Sequence, residues 1–175
     1  LLLDLTKKEV RDYIVENVSA VLDSANITYV KWDMNRHSVA VGAKAHDYIL
    51  GLYEVLGRIF GPRPEILLES CSSGGNRFDL GMLCFGPQVW CSDDTDPIER
   101  LTIQFGTSMC YPTSSMGAHV SVCPNHQNAR VTPLKTRGNV AYFGTYGLEL
   151  DITNNNVIEV IDVSENIITN IIIIS

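Results

Sequence analysis

The sequence predicts an α/β fold, a parallel sheet covered by helices. Three observations carry this. Helical and strand periods alternate along the chain, and about 35 residues, the size of one βαβ unit, separate the first two strands. Polar residues also collect just after the strand ends, at 33–36, 71–79 and 93–96. In a (β/α)8 barrel that is where an active site sits. An open doubly wound sheet produces the same local pattern, so periodicity alone does not choose between the two. No GxGxxG run and no Walker loop is present, which removes the usual nucleotide-binding reading.

The elements follow in order. Thr6 and Glu9 have the spacing of a capping box. Val10, Ile14, Val18, Val21 and Ala25 recur at three- and four-residue intervals, predicting a helix over 7–25 with one buried face. Asn26 interrupts it, and 27–33 reads as a strand. A second helix over 44–60 carries Tyr48, Ile49, Leu52, Val55, Leu56 and Ile59; Gly61-Pro62-Arg63-Pro64 ends it, and 66–71 is the next strand. A glycine-rich loop at 72–75 leads to Arg77 and Asp79, and 88–92 is a strand ending at Asp93. Asp96 before Pro97 is a helix start, a capping carboxylate followed by a proline whose missing N–H costs nothing there. That helix is expected to run to Phe105, with weaker strands at 108–111 and 118–121. Thr132-Pro133 opens a last helix that closes near Gly144. There is no internal repeat, and the chain changes character after Gly147, with Asn154-Asn155-Asn156 and an isoleucine- and asparagine-rich tail.

Composition bounds the function. The chain has 175 residues, 45% hydrophobic and 19% charged, enough for one globular domain with a core. A net charge of −7 repels phosphates and argues against nucleic-acid binding. Five cysteines, an odd number without a CxxC pair, read as free thiols in a reducing compartment. Asp4 ends the apolar run of Leu1, Leu2 and Leu3, so no signal peptide is expected, and the apolar tail at 167–174 is too short to span a bilayer. The chain begins without Met and reads as an excerpt of a longer protein.

Several residues can carry chemistry. Lys31 and Asp33 are two apart on a strand and share a face, so the cation can hold the aspartate ionised, as a carboxylate nucleophile must be. The plain alternative is an ion pair at a strand end. Asp93, Asp94 and Asp96 crowd together, which pushes one of them to hold a proton, and a proton-holding acid is what departure of a sugar oxygen requires. Asp96 is assigned to the helix cap. A hard-cation site in this cluster is disfavoured because no acidic partner at ligand spacing accompanies it. Ser72-Ser73-Gly74-Gly75 lets backbone N–H groups approach a ligand, although most such runs are only turns. His119 and His126 lack a third ligand and read as structural. Trp32 and Trp90 could stack on sugar rings, but alternation turns Trp32 away from Lys31 and Asp33, under a helix.

These residues resemble a known family. Lys31-Trp32-Asp33-Met34-Asn35-Arg36 looks like the nucleophile motif of glycoside hydrolase family 36, the bacterial α-galactosidases. Glu69-Ser70-Cys71-Ser72-Ser73-Gly74-Gly75-Asn76-Arg77-Phe78-Asp79 resembles its second signature, and Trp90-Cys91-Ser92-Asp93-Asp94-Thr95-Asp96 its acid/base segment. Tyr111-Pro112, Met116-Gly117-Ala118-His119-Val120-Ser121 and Pro124-Asn125-His126 resemble later blocks, and the matches run in order from Leu3 to about Asp151.

The resemblance implies a partial TIM (β/α)8 barrel, about strands four to eight, with Asp33 as nucleophile and Asp93 as acid/base. It implies that Lys31, Asn35, Cys71 and Gly74 line the galactose pocket. Residues 1–147 are then part of the catalytic barrel, and 148–175 a divergent tail at the start of a missing C-terminal β-domain. The first three strands, with further pocket residues, and an N-terminal β-domain are also missing, and the stretch between Arg36 and Tyr48 is shorter than usual. The implied function is a retaining α-galactosidase acting on raffinose- or melibiose-type oligosaccharides, without cofactor or metal, cytoplasmic, in a homo-oligomeric parent. No nucleic-acid or membrane partner is expected. Transfer of galactose to another sugar is a close alternative, and a non-catalytic or degenerate fragment a second. Five strands cannot close an eight-stranded barrel, so the isolated chain is expected to be inactive.

Overall fold

A computed structural model describes residues 2–35 and 44–151, and the backbone of 171–174. Its elements are α1 (Lys8–Asp23), β1 (Tyr29–Trp32), α2 (Ala45–Phe60), β2 (Leu67–Ser70), β3 (Gln88–Trp90), α3 (Pro97–Ser108), β4 (Met116–Ser121), α4 (Leu134–Ala141), β5 (Thr145–Glu149) and β6 (Ile171–Ile174). All strand pairs are parallel, and β1 to β5 lie side by side in chain order. A doubly wound sheet reverses its order at a switch point; an unbroken run that curls into a half-barrel is part of a (β/α)8 barrel. That settles the choice which periodicity left open. β6 adds to the free edge of β1, pairing Tyr29 with Ile171 and Trp32 with Ile174.

The two faces of the sheet differ as a period of two dictates. On the outer face Val30 and Leu68 are paired in register and fully buried. Over them α2 lays Leu52, Val55, Leu56 and Ile59, all 0–1% exposed, and α1 packs beside α2. Each such side chain contributes roughly 1.5–3 kcal/mol when fully buried. Trp32 joins this core, its ring edge-on to Phe60 with centroids 6.2 Å apart, under a helix as alternation predicts.

The differences from expectation have local causes. The capping box does not form. Asp4 captures Thr6 first, accepting from its N–H at 3.1 Å and its hydroxyl at 2.6 Å, and Lys7 stands at the N-cap without a side-chain bond. The strand expected at 108–111 is absent. Ser108 is the last residue of α3, and the N–H groups of Cys110 and Tyr111 both turn back to the Thr107 carbonyl. Tyr111 then stacks on Phe78, 4.1 Å between centroids, instead of joining the sheet. Between β2 and β3 the connection holds only a short 3₁₀ turn at Met82–Cys84, so strand and helix do not alternate there. β5 runs through Gly147 to Glu149, past the point where the sequence changes character. Residues 36–43, most of the stretch expected to be short, and most of the tail lie outside the described residues.

Candidate active site

The concave face is built by register. Lys31, Glu69 and Gln88 lie side by side across β1, β2 and β3, and Trp90, Gly117 and Thr145 form a row across β3, β4 and β5. Glu69 is completely buried. Its carboxylate accepts from the Tyr29 hydroxyl and from Gln88 Nε2 at 2.9 Å, and lies 3.3 Å from Lys31 Nζ. This corrects the expected pairing of Lys31 with Asp33: the ammonium reaches sideways to its register partner. It also lies over the Trp90 ring, 4.9 Å from the centroid. Burial alone would lower the lysine pKa, but Glu69, with Glu149 also near, outweighs it and holds the value above that of a free lysine. The exposed surface that Trp90 could offer a sugar is small, because Lys31, Arg100 and His119 already occupy its ring.

Asp33 follows the end of β1, and Asp93 lies three residues past the end of β3, so both stand at the C-terminal ends of parallel strands. Cys71, one residue past β2, sits between them. Its thiol points to Asp93 Oδ1 at 4.0 Å. Burial pushes that thiol up to about 12; a Gly74 N–H pulls it down, and the nearby Asp33 carboxylate pushes it up again. The sulfur is therefore a neutral thiol flanked by two carboxylates. Asp33 Oδ2 accepts from Asn35 Nδ2 at 2.8 Å, whereas its Oδ1 is buried with no hydrogen-bond partner among the described residues.

The glycine-rich loop ties these groups together. Asn35 Oδ1 accepts from the Ser73 N–H at 2.8 Å, and Ser72 Oγ donates to the Met34 carbonyl at 2.9 Å. Gly74 has φ +77°, and a Cβ there would lie 2.8 Å from Ser92 Cα and 3.1 Å from Asp93 N. Only glycine permits that backbone turn and that approach. The three neighbouring aspartates separate by contacts. Asp96 caps α3, accepting from Ile98 N at 2.9 Å and Glu99 N at 3.1 Å, as its sequence position predicts. Asp94 Oδ1 takes the Asp96 N–H at 2.9 Å. Asp93 alone of the three approaches Cys71, its Oδ1 4.0 Å from the thiol. His119 stacks on Trp90 and sits 3.9 Å from Glu149, while His126 is exposed elsewhere. Among the described residues no cluster of three His, Cys, Asp or Glu side chains could hold a metal ion.

The model of one protein family, Melibiase, matches residues 1–171. The chain belongs to the melibiase family. Its relatives there include the α-galactosidase AgaA of Geobacillus stearothermophilus, 56% identical over 87% of this chain and 22% of that protein. An α-galactosidase of Lactobacillus acidophilus is 50% identical over 86% of this chain and 22% of its own length. The solved galactosidase domain of the α-galactosidase–sucrose kinase AgaSK superposes with a TM-score of 0.83 at 53% identity, covering 86% of this chain and 21% of that one. The AgaA structure in complex with raffinose gives the same TM-score at 55% identity, covering 88% and 23%. The chain thus spans about a fifth of the length of the melibiase-family proteins it matches, as a GH36 barrel portion.

Three residues of this site had no role in the sequence reading. Glu69 was legible only as a member of a motif, although its two-residue spacing from Cys71 puts it on the same face. Arg77, buried, donates to the Cys71 carbonyl at 2.6 Å. Gln127 reaches the Asp93 carbonyl from 34 residues away, a contact that no local spacing announces.

Proposed function

We propose that the whole protein is a retaining α-galactosidase that removes terminal α-galactosyl residues from oligosaccharides of the raffinose type, with Asp33 as nucleophile and Asp93 as acid/base. One observation carries this reading: two carboxylates at the ends of parallel strands flank a single neutral thiol. The names of the relatives supply the sugar, since several are α-galactosidases and AgaA has been solved with raffinose and with stachyose.

The Asp33 carboxylate attacks the anomeric carbon as the glycosidic C–O bond breaks and Asp93 gives its proton to the leaving oxygen. Asp93 then takes a proton from water. The resulting hydroxide displaces the Asp33 carboxylate, and galactose leaves with its anomeric configuration retained. Lys31, Asn35, Cys71 and Gly74 line the galactose pocket. Asn35 has a second task, since its amide donates to Asp33 Oδ2 and so orients the carboxylate. The chemistry needs no cofactor. The tail from 148 is read as the approach to a C-terminal β-domain. The unpaired state of all five cysteines is in keeping with the cytoplasm. No helix among the described residues is long and apolar enough to cross a membrane.

The test is Asp33→Ala in the full-length protein. Turnover should fall below detection on raffinose and on a nitrophenyl α-galactoside alike, because no covalent intermediate can form. Residues 1–175 alone should also show no turnover. Substantial activity left in Asp33→Ala would remove Asp33 from its role.

A further inference from the structure

Asp33 and Asp93 are held in different ways. Asp33 has a carboxamide bonded to its carboxylate. Among the described residues the Asp93 carboxylate has only the weak contact with Cys71 Sγ at 4.0 Å, and it lies in the irregular segment between β3 and α3. Its position therefore depends on its backbone. On one side that backbone abuts Gly74. On the other, the Gln127 carboxamide grips it at both ends: Nε2 donates to the Asp93 carbonyl at 3.0 Å, and Oε1 accepts from the Thr95 N–H at 2.9 Å and the Thr95 hydroxyl at 3.2 Å. Gln127 is itself anchored, its N–H donating at 2.8 Å to Asn125 Oδ1. Asn125 is buried and donates to Thr95 Oγ1 at 3.1 Å, while Ser121 Oγ donates to the Thr95 carbonyl at 2.9 Å. Thr95 is thus secured by three side chains from β4 and the segment after it, but only Gln127 extends to Asp93.

We infer that Gln127 is a positioning residue for the acid/base, acting through the main chain of Asp93. This rests on the assignment of Asp93 proposed above. A displacement of about 1 Å at a reacting group costs on the order of 10²-fold in rate, and proton donation is the step that a misplaced Asp93 fails to supply. The loss should therefore depend on the leaving group. A sugar alkoxide needs the proton; a nitrophenolate hardly does.

The experiment measures kcat/KM, which reports the first bond cleavage, in the full-length protein on raffinose and on p-nitrophenyl α-galactoside. Gln127→Ala should lose roughly ten- to a hundredfold on raffinose and less than about threefold on the nitrophenyl substrate. Gln127→Glu keeps an acceptor for Thr95 but no donor for the Asp93 carbonyl, and should show the same split. Equal loss on both substrates in Gln127→Ala marks a merely structural role and overturns the inference, as does wild-type behaviour of either variant. Asp93→Asn, assayed alongside, separates the two levels. If it loses raffinose activity selectively while the Gln127 variants do not, only the inference fails; if it loses both equally, the acid assignment fails and takes the inference with it.

Discussion

Glu69 has no contact with solvent; it accepts from a phenol and a carboxamide through Oε2 and is ion-paired with an ammonium at Oε1. Burial first, and Glu69 beside it, raise the Tyr29 pKa, so the phenol stays protonated and keeps donating. Removing one partner from such a cluster costs more than making the cluster contributes, because the remaining polar groups are left buried and unpaired. Glu69→Ala should destabilise the protein by about 3–5 kcal/mol, and Glu69→Gln, which keeps the volume and an acceptor oxygen, by less. Urea unfolding of the full-length variants checks the ranking; equal stability of wild type and Glu69→Ala would show that the cluster holds nothing. A sequence displays residue types and spacings, and these were enough to single out Asp33 and the aspartates at 93–96; the family resemblance picked Asp93 among them and added Asn35 and Cys71. They were not enough to pair Lys31. The ammonium has an acidic residue two positions along its own strand and another beside it across the sheet, and only register decides between them.

At the scale of elements, α3 shows what local chemistry can specify. Asp96 and Pro97 predict its start because the capping carboxylate and the proline act within one turn, and both act as expected. Where the deciding partner is distant, local reading fails: Tyr111 is β-prone, but Phe78 and the Thr107 carbonyl claim it. β5 and β6 were likewise not read as strands: the last helix was expected to close near Gly144 and the chain beyond Gly147 to be a divergent tail. The cap yields a pH-dependent prediction. Burial tends to raise the Asp96 pKa, yet the Glu99 N–H, Asn128, the Ile98 N–H and Arg130 together lower it. A lowered folded pKa gives stability that is fully present above the unfolded aspartate value of about 3.9 and is lost as pH falls through the folded value. Asp96→Ala should therefore cost about 1–2 kcal/mol at pH 7, and the gap to wild type should shrink below about pH 4. Thermal unfolding at the two pH values measures it; a gap that grows in acid contradicts the assignment.

For the whole molecule, the unbroken parallel order of β1 to β5 is what brings residues from three strands to one end of one face. Asp33, Cys71 and Asp93 come from successive strands, so the barrel curl itself sets their meeting. Glu69 and Lys31 fill the face below them, and Gln127 holds the far side from the segment after β4. The proposed mechanism stands on a covalent bond between Asp33 and galactose. It is tested most directly by trapping that bond in the full-length protein with a 2-deoxy-2-fluoro-galactosyl substrate carrying a good leaving group, which slows the second step, and locating the label by peptide mass spectrometry. One added fluorogalactosyl group is expected, on the peptide containing Asp33 and on that side chain. A label on Asp93 or Asp94, or no label while the first-formed galactose has inverted configuration, would contradict it.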